Sequence, residues 1–255
     1  MALPRALFFD LDDTLLRRDK TLSPANRTAL TRCRERGVLV GLCTSRGEGS
    51  ARLLADRETI PWDVLITSAG ALARVGAEIV YEAGFTADET SALLSALFAL
   101  PGPAREMTAD TAEGIFHSYD SGDPTRIGGW KVDFRTFSGP TLKICAELGR
   151  DDLARQAASA VEGATFVRFA GEDWYAFRKA GATKAHAIRA VAAHLGLEPG
   201  QFAAFGDDLP DADMLALCGV GVAMGNALEV VKQAADVVIG DCDSDAIARY
   251  LEGLF

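Results

Sequence analysis

The chain reads as an α/β protein whose parallel sheet is interrupted by an α+β insert. Three observations lead there. At both ends of the chain, short apolar runs alternate with capped helical segments, which is how a parallel sheet is written. Between about Ala83 and Ala180 that alternation gives way to segments of period two, expected of half-exposed antiparallel strands. Several outer apolar runs end in acidic or hydroxyl residues, at the sheet edge where parallel folds bind ligands.

The elements follow in order. Ala6–Phe9 is a buried-strand run ending in acid. Ser23-Pro24 opens a helix, Ser as cap and Pro at the first position, and Gly37 stops it. Val38–Cys43 is a second strand, Ala51–Arg57 a helix and Asp63–Ile66 a third strand. In the insert, helices are expected over Ser91–Leu100 and Leu153–Val161. Strands are expected over Ile115–Tyr119, Lys131–Phe137, Leu142–Ala146, Thr165–Phe169 and Trp174–Phe177. Pro101–Pro103 and Ser121–Pro124 read as loops. The outer pattern then resumes with helix Thr183–Leu195, strand Phe202–Phe205 and a helix holding Met214 and Leu215. Strand Val220–Met224, helix Ala227–Ala235, strand Val237–Ile239 and helix Asp245–Leu254 complete it.

Composition narrows the function. The 255 residues carry 26 basic and 36 acidic side chains, a net charge of -10, which excludes a general binder of nucleic acid or anionic membrane. Five cysteines without CxxC spacing give neither a disulfide framework nor a zinc site. Their free-thiol reading fits a reducing compartment. The apolar run at the N-terminus is too short for a signal segment, and no stretch approaches a membrane span. A cytoplasmic location is expected.

The polar strand ends carry the chemistry. They are Asp10-Leu-Asp12-Asp13-Thr14, Thr44-Ser45-Arg46 and Gly206-Asp207-Asp208-Leu-Pro-Asp211. Lys184 begins the helix before the last of these strands. Asp10, Asp12 and Asp207, with Asp208 or Asp211, would crowd like charges together, and one pKa would rise unless a cation sits among them. An oxygen-only set without His or Cys selects a hard ion, Mg²⁺ first. A hydroxyl, backbone amides and an ammonium nearby suit phosphate oxygens. Asp13 reads as a loop-capping residue and Asp213 as a helix N-terminal charge.

With these residues in place, Phe8-Phe-Asp-Leu-Asp-Asp-Thr-Leu15 resembles the first motif of the haloacid dehalogenase superfamily of phosphatases. Thr44, Lys184 and Gly206-Asp207 resemble its second, third and fourth motifs, in order. Val222–Ala227, then Val231-Lys232 and Ala235-Asp236, resembles the Cof-type branch with a large α/β cap. The resemblance implies a Rossmann-like core from residues 1–82 and 181–255, with the cap at 83–180. It implies that Asp10 is the nucleophile and Asp12 the general acid and base. Thr44, Ser45 and Lys184 would hold the phosphate. Mg²⁺ would be held by Asp10, the carbonyl of Asp12 and Asp207, with Asp211 or Asp208 as a further carboxylate. The sequence departs from the branch at Pro210-Asp211, where Asn-Asp is common, and at Ser68-Ala69-Gly70-Ala71, where Asn-Gly-Ala is common.

The function so implied is Mg²⁺-dependent hydrolysis of a small phosphorylated metabolite, a sugar phosphate or phosphoglycosyl acid, through an aspartyl-phosphate. The alternatives are a phosphomutase using the same aspartyl-phosphate and a non-catalytic phosphometabolite binder. The expected partner is the metabolite alone, without nucleic acid or membrane, and the expected state is a monomer or weak homodimer.

Overall fold

The structure is a computed structural model that describes residues 3–102, 104–119, 129–169 and 171–254. In chain order its strands and helices begin with β1 (Ala6–Phe9), α1 (Pro24–Glu35), β2 (Leu39–Cys43), α2 (Glu48–Arg57) and β3 (Val64–Thr67). Next come β4 (Leu72–Val75), β5 (Glu78–Glu82), α3 (Ala87–Ala99), β6 (Met107–Asp110), β7 (Ile115–His117) and β8 (Gly129–Lys131). β9 (Lys143–Glu147), α4 (Asp151–Ala158), β10 (Ala164–Arg168) and β11 (Trp174–Lys179) follow. The chain ends with α5 (Lys184–Leu195), β12 (Phe202–Gly206), α6 (Ala212–Leu217), β13 (Val220–Ala223), α7 (Glu229–Ala234), β14 (Val237–Val238) and α8 (Ala246–Glu252).

Contacts divide the chain into two units. One comprises Met1–Ser45, Leu54–Tyr81 and Thr183–Phe255; the other comprises Arg46–Leu53 and Glu82–Ala182. The start of α2, which the sequence places with the outer pattern, therefore groups with the insert.

The first unit is built on a sheet of order β14-β13-β12-β1-β2-β3-β4-β5. From β14 to β3 every pairing is parallel, and β4 turns back antiparallel on β3. β1 lies between β12 and β2, with Ala6–Phe9 in register against Phe202–Phe205 and Leu39–Leu42. A central parallel strand is covered on both faces, which is why β1 is a continuous apolar run with all four residues buried. Phe9 stacks on Phe205 at 4.5 Å between ring centroids, and Phe8 meets Phe202 at 5.4 Å. These contacts tie β1 to β12 and fix their carboxyl ends side by side. The helix starts are as written: the Ser23 side chain accepts from the Asn26 N–H, and that of Thr183 from the His186 N–H.

The second unit holds a sheet of order β10-β11-β9-β6-β7-β8. Its pairings are antiparallel except β7 with β8. One face packs residues such as Met107, Ala109, Ile144, Ala146, Tyr175 and Phe177 with the apolar sides of α3 and α4. α3 starts earlier than hydrophobicity alone suggests, because Thr86 and Glu89 form a reciprocal capping box.

The expected strand Lys131–Phe137 is a correction. β8 stops at Lys131, and Asp133 accepts the Arg135 N–H at 2.9 Å while Thr136 N–H bonds the Asp133 carbonyl at 3.0 Å. An Asp side chain bonding its own backbone two residues on makes a turn, and here it overrides the period-two pattern. The expected loop at Ser121–Pro124 lies outside the described residues, as does Pro103. Strands β4, β5 and β6 have no counterpart in the sequence reading. All five cysteines are buried as free thiols. Among the described residues no helix is long and apolar enough to cross a membrane.

Candidate active site

The carboxyl ends of β1, β2 and β12 and the start of α5 all belong to the first unit, and they carry the site. Asp10 leaves β1 with its N–H still bonded to the Phe205 carbonyl at 3.0 Å. The chain then turns within Leu11–Leu15. Asp12 stays extended (φ -76, ψ 124), Asp13 enters the left-handed region (φ 61), and the Leu15 N–H closes on the Asp10 carbonyl at 3.2 Å. An uninterrupted strand would send Asp12 along the sheet. This turn instead brings Thr14 back, so that its hydroxyl donates to Asp207 Oδ1 at 2.5 Å.

Lys184, the first residue of α5, is 2% exposed. Its ammonium lies 2.6 Å from Asp10 Oδ1 and 2.5 Å from Asp211 Oδ1. Asp211 is equally buried, and its other oxygen accepts the N–H groups of Asp207 and Asp208 at 3.0 and 3.1 Å. Gly206 makes room for this: a Cβ there would stand 2.4 Å from the Cβ of Asp211. Any side chain at 206 would push Asp211 out of the loop that it braces.

Thr44, just beyond β2, is buried. Its N–H bonds the Ile66 carbonyl at 2.9 Å, and its carbonyl accepts from Ala69 at 3.1 Å. Ser45 follows, half-buried. The Ala69 bond belongs to the tight turn Ser68–Gly70, where Ser68 and Ala69 both have positive φ (50 and 60). Thus the segment that departs from the resembled pattern still wraps the second strand end.

The electrostatics follow from burial. Oxygens of Asp10, Asp207 and Asp211 all lie within 4.8 Å of one another. Against these three carboxylates stands one buried ammonium, Lys184, leaving a formal charge of -2 in a desolvated place. Burial pushes the Asp10 carboxyl well above its ordinary range, outweighing the opposing pull of Lys184. Burial also raises Asp207 to about 7, against the hydrogen bond from Thr14. The flanking carboxylates hold the Lys184 ammonium above its usual pKa despite burial. Such a cluster takes up a proton or a divalent cation. Oxygen donors, a formal charge of -2 and no nitrogen or sulfur suit Mg²⁺.

In the turn, the Asp12 carboxylate faces Lys20 at 3.2 Å, and Lys20 also pairs with Asp13 at 3.0 Å. Asp208 is exposed, and its side chain caps the short turn at Leu209 (2.8 Å). Of the two carboxylates that the sequence left as alternatives, Asp211 therefore joins the cluster and Asp208 does not. Asp213 is exposed in the first turn of α6.

Three residues of this neighbourhood drew no role from the sequence. Thr14 holds Asp207, and Lys20 holds Asp12. Asn226 donates from Nδ2 to the Asp13 carbonyl at 2.8 Å and accepts the Cys242 N–H at 2.9 Å. Thr14 and Asn226 lie inside motifs that were legible, so their position was a signal. Lys20 had none, because its reach depends on a turn closed by the Arg17 and Thr21 backbones (3.0 Å).

An "HMP-PP phosphatase" from Cronobacter sakazakii is 25% identical over 263 residues, covering 95% of this chain and 93% of the relative. The solved structure of a haloacid dehalogenase-like hydrolase from B. subtilis superposes with a TM-score of 0.84 at 21% identity, covering 98% of this chain and 100% of that one. A subclass IIB sugar phosphatase superposes with a TM-score of 0.80 at 23% identity, covering 98% and 100%. A profile of the haloacid dehalogenase-like hydrolases matches residues 7–125 and 141–251. With sequence profile, fold and the order of the motifs in agreement, the chain belongs to the haloacid dehalogenase-like hydrolases, and it is an enzyme of that family.

Proposed function

We propose that this hydrolase is a Mg²⁺-dependent phosphomonoesterase acting on a small phosphorylated metabolite. One observation carries the reading. A buried carboxylate at a strand end, Asp10, shares a desolvated cluster with two more carboxylates and a single ammonium. That is a nucleophile, a place for a divalent cation and a phosphate-binding charge in one small volume.

Asp10 attacks phosphorus in line and becomes an aspartyl-phosphate as the P–O bond to the alcohol breaks. Asp12 gives a proton to the departing alkoxide, then takes one from the water that hydrolyses the acyl phosphate. Lys184 and Thr44, with Ser45, bind the phosphate oxygens. Lys184 also keeps Asp10 oriented, and Asp211 keeps Lys184 oriented. Asp10, Asp207, the Asp12 carbonyl and the charge of Asp211 would hold the ion. When bound, Mg²⁺ neutralises the carboxylates and the phosphoryl charge.

The relatives named for HMP-PP and sugar phosphates support a small metabolite as substrate. Phosphate release from p-nitrophenyl phosphate tests the reading. Turnover should need Mg²⁺, stop on chelation and vanish in Asp10→Asn. Full turnover in chelator, or in Asp10→Asn, would refute it.

A further inference from the structure

Thr14 and Asn226 belong to one closed ring of hydrogen bonds. The Thr14 hydroxyl donates to Asp207 Oδ1 at 2.5 Å. Asp13, the residue before Thr14, offers its carbonyl to Asn226 Nδ2 at 2.8 Å. Just beyond Asn226, the Leu228 N–H bonds the Asp207 carbonyl at 3.0 Å. The path from Asp207 through Thr14, Asp13, Asn226 and Leu228 therefore returns to Asp207. It joins the turn after β1 to the segment after β12, and every member belongs to the first unit.

The loop that carries Asn226 is itself anchored on two sides. The Met224 N–H bonds the Gly206 carbonyl at 3.0 Å, and the Gly225 N–H bonds the Gly240 carbonyl at 3.0 Å. A Cβ on Gly225 would stand 2.9 Å from the Asp241 nitrogen, so a glycine is required for so close an approach. Asn226 Oδ1 accepts the Cys242 N–H at 2.9 Å. The two ends of one amide thus grip backbone groups of two segments far apart in the chain. A carboxylate would supply only the acceptor, and an aliphatic side chain neither.

The grip falls on a sensitive residue. Asp13 stands in the left-handed region (φ 61), which a residue other than glycine keeps only where its surroundings hold it. The Asp12 carbonyl precedes it and the Thr14 hydroxyl follows it. Rotation of the backbone at Asp13 would swing these two groups relative to each other, and the bond from Asn226 opposes that rotation.

We propose that Asn226 is a positioning residue that sets the separation between the Asp12 carbonyl and the Asp207 carboxylate. These groups come from different segments, and the ring is what holds them in step. The inference rests on the reading above that both groups hold Mg²⁺. Side chains that orient metal ligands without touching the ion govern its affinity through the ligands they fix.

The test measures the Mg²⁺-induced shift in Tm of the full chain without substrate, and separately the Mg²⁺ dependence of phosphate release from p-nitrophenyl phosphate. Asn226→Ala should raise the Mg²⁺ giving half the maximal Tm shift about tenfold. Asn226→Asp keeps the volume and the acceptor for the Cys242 N–H, but sets an oxygen against the Asp13 carbonyl. It should weaken Mg²⁺ binding to a similar degree, about tenfold, although it adds an anion. In both variants half-maximal turnover should need correspondingly more Mg²⁺. Arg18→Gln is the control. Arg18 ties the same turn to Asp241 and Asp243 from an exposed position, so its loss should leave the Mg²⁺ midpoint within about twofold of wild type. Midpoints within about twofold of wild type in both Asn226 variants would overturn the proposal. So would a rise in Arg18→Gln equal to that in Asn226→Ala, since general loosening would then explain the effect. Weakened Tm shifts in the Asn226 variants of a chain that releases no phosphate would sink the phosphomonoesterase reading and leave the positioning role standing. A wild-type Tm that ignores Mg²⁺ would sink the metal reading and the positioning role together.

Discussion

The Lys184 ammonium sits 2.5 Å from Oδ1 of Asp211 and 2.6 Å from Oδ1 of Asp10, shared between the two carboxylates. Asp211 thereby sets where the lysine points, and through its second oxygen it also sets the backbone of Asp207 and Asp208. It is placed to act through its neighbours.

That arrangement predicts a combined defect in Asp211→Ala. Removing one partner of a buried pair typically costs about 3–5 kcal/mol. Because Asp10 still holds Lys184, the lower end, about 3 kcal/mol, is expected in denaturant unfolding. Asp211→Asn keeps an acceptor for the loop amides but removes the charge, so it should recover part of the stability and little of the turnover. Equal stability and equal activity in both variants would show that charge on Asp211 is irrelevant.

Asp10→Asn is nearly isosteric and removes the proposed nucleophile. Turnover should fall by at least about 10³-fold, the scale seen when a covalent nucleophile is lost. Burial raises the Asp10 pKa on folding even against the pull of Lys184, so ionising it opposes folding. The neutral amide escapes that cost, and the folded state should gain stability where the wild-type carboxylate is ionised. Phosphate release and thermal unfolding measured on one sample check both. Activity within about tenfold of wild type would place the nucleophile elsewhere.

The sequence made some of this architecture legible and hid the rest, for identifiable reasons. β1 was readable because a central parallel strand must be apolar on both faces, and the carboxylates after it because three acids, Asp10, Asp12 and Asp13, follow it within four residues. α5 was readable from its Thr183 cap and its Gly196 stop. The strand expected over Lys131–Phe137 failed because the Asp133 turn is a local side-chain bond that periodicity cannot register. β5 was missed because it is the edge strand, where partly exposed residues carry a weak pattern, and β4 because it is only four residues long and its two buried residues, Leu72 and Ala73, are adjacent and show no alternation. Among the site residues, Asp10, Asp12 and Asp207 were visible as acids at strand ends. The Thr14–Asp207 bond and the Lys20–Asp12 pair were not, since the first depends on how Leu11–Leu15 folds back and the second also on the turn closed between Arg17 and Thr21.

With Mg²⁺ held as proposed, metal and proton compete at Asp207. Its folded pKa is raised to about 7 by burial. An acid raised on folding adds stability at low pH, and that contribution is lost as pH rises from the ordinary carboxylate value to the folded one. Without metal, the contribution of Asp207 should therefore decline between about pH 4 and pH 7. Added Mg²⁺ should restore stability most where the proton has left, so its effect on Tm should be larger at pH 8 than at pH 6. Asp207→Ala should flatten that difference and raise the Mg²⁺ needed for half-maximal turnover. Ca²⁺, with looser coordination, should inhibit. A Mg²⁺-induced Tm shift that does not change with pH would separate Asp207 from the metal.

The acid–base role given to Asp12 has a signature in the leaving group. An alkyl phosphate expels a strongly basic alkoxide and needs a proton as the P–O bond breaks. p-Nitrophenolate leaves without one. In Asp12→Asn the loss should therefore be larger for an alkyl phosphate than for p-nitrophenyl phosphate, by about 10²-fold if proton donation supplies its usual share. In the proposed mechanism both substrates pass through the same aspartyl-phosphate, so a defect confined to hydrolysis of that intermediate would lower their rates alike. Lys20 sharpens the test. It pairs with Asp12 at 3.2 Å but lies 38% exposed, so its removal should perturb position more than fold. Lys20→Met should reproduce the same ordering of substrates at smaller amplitude, about three- to tenfold, with Lys20→Arg restoring most of it. Equal losses on both substrates in Asp12→Asn would assign the proton transfer to another group.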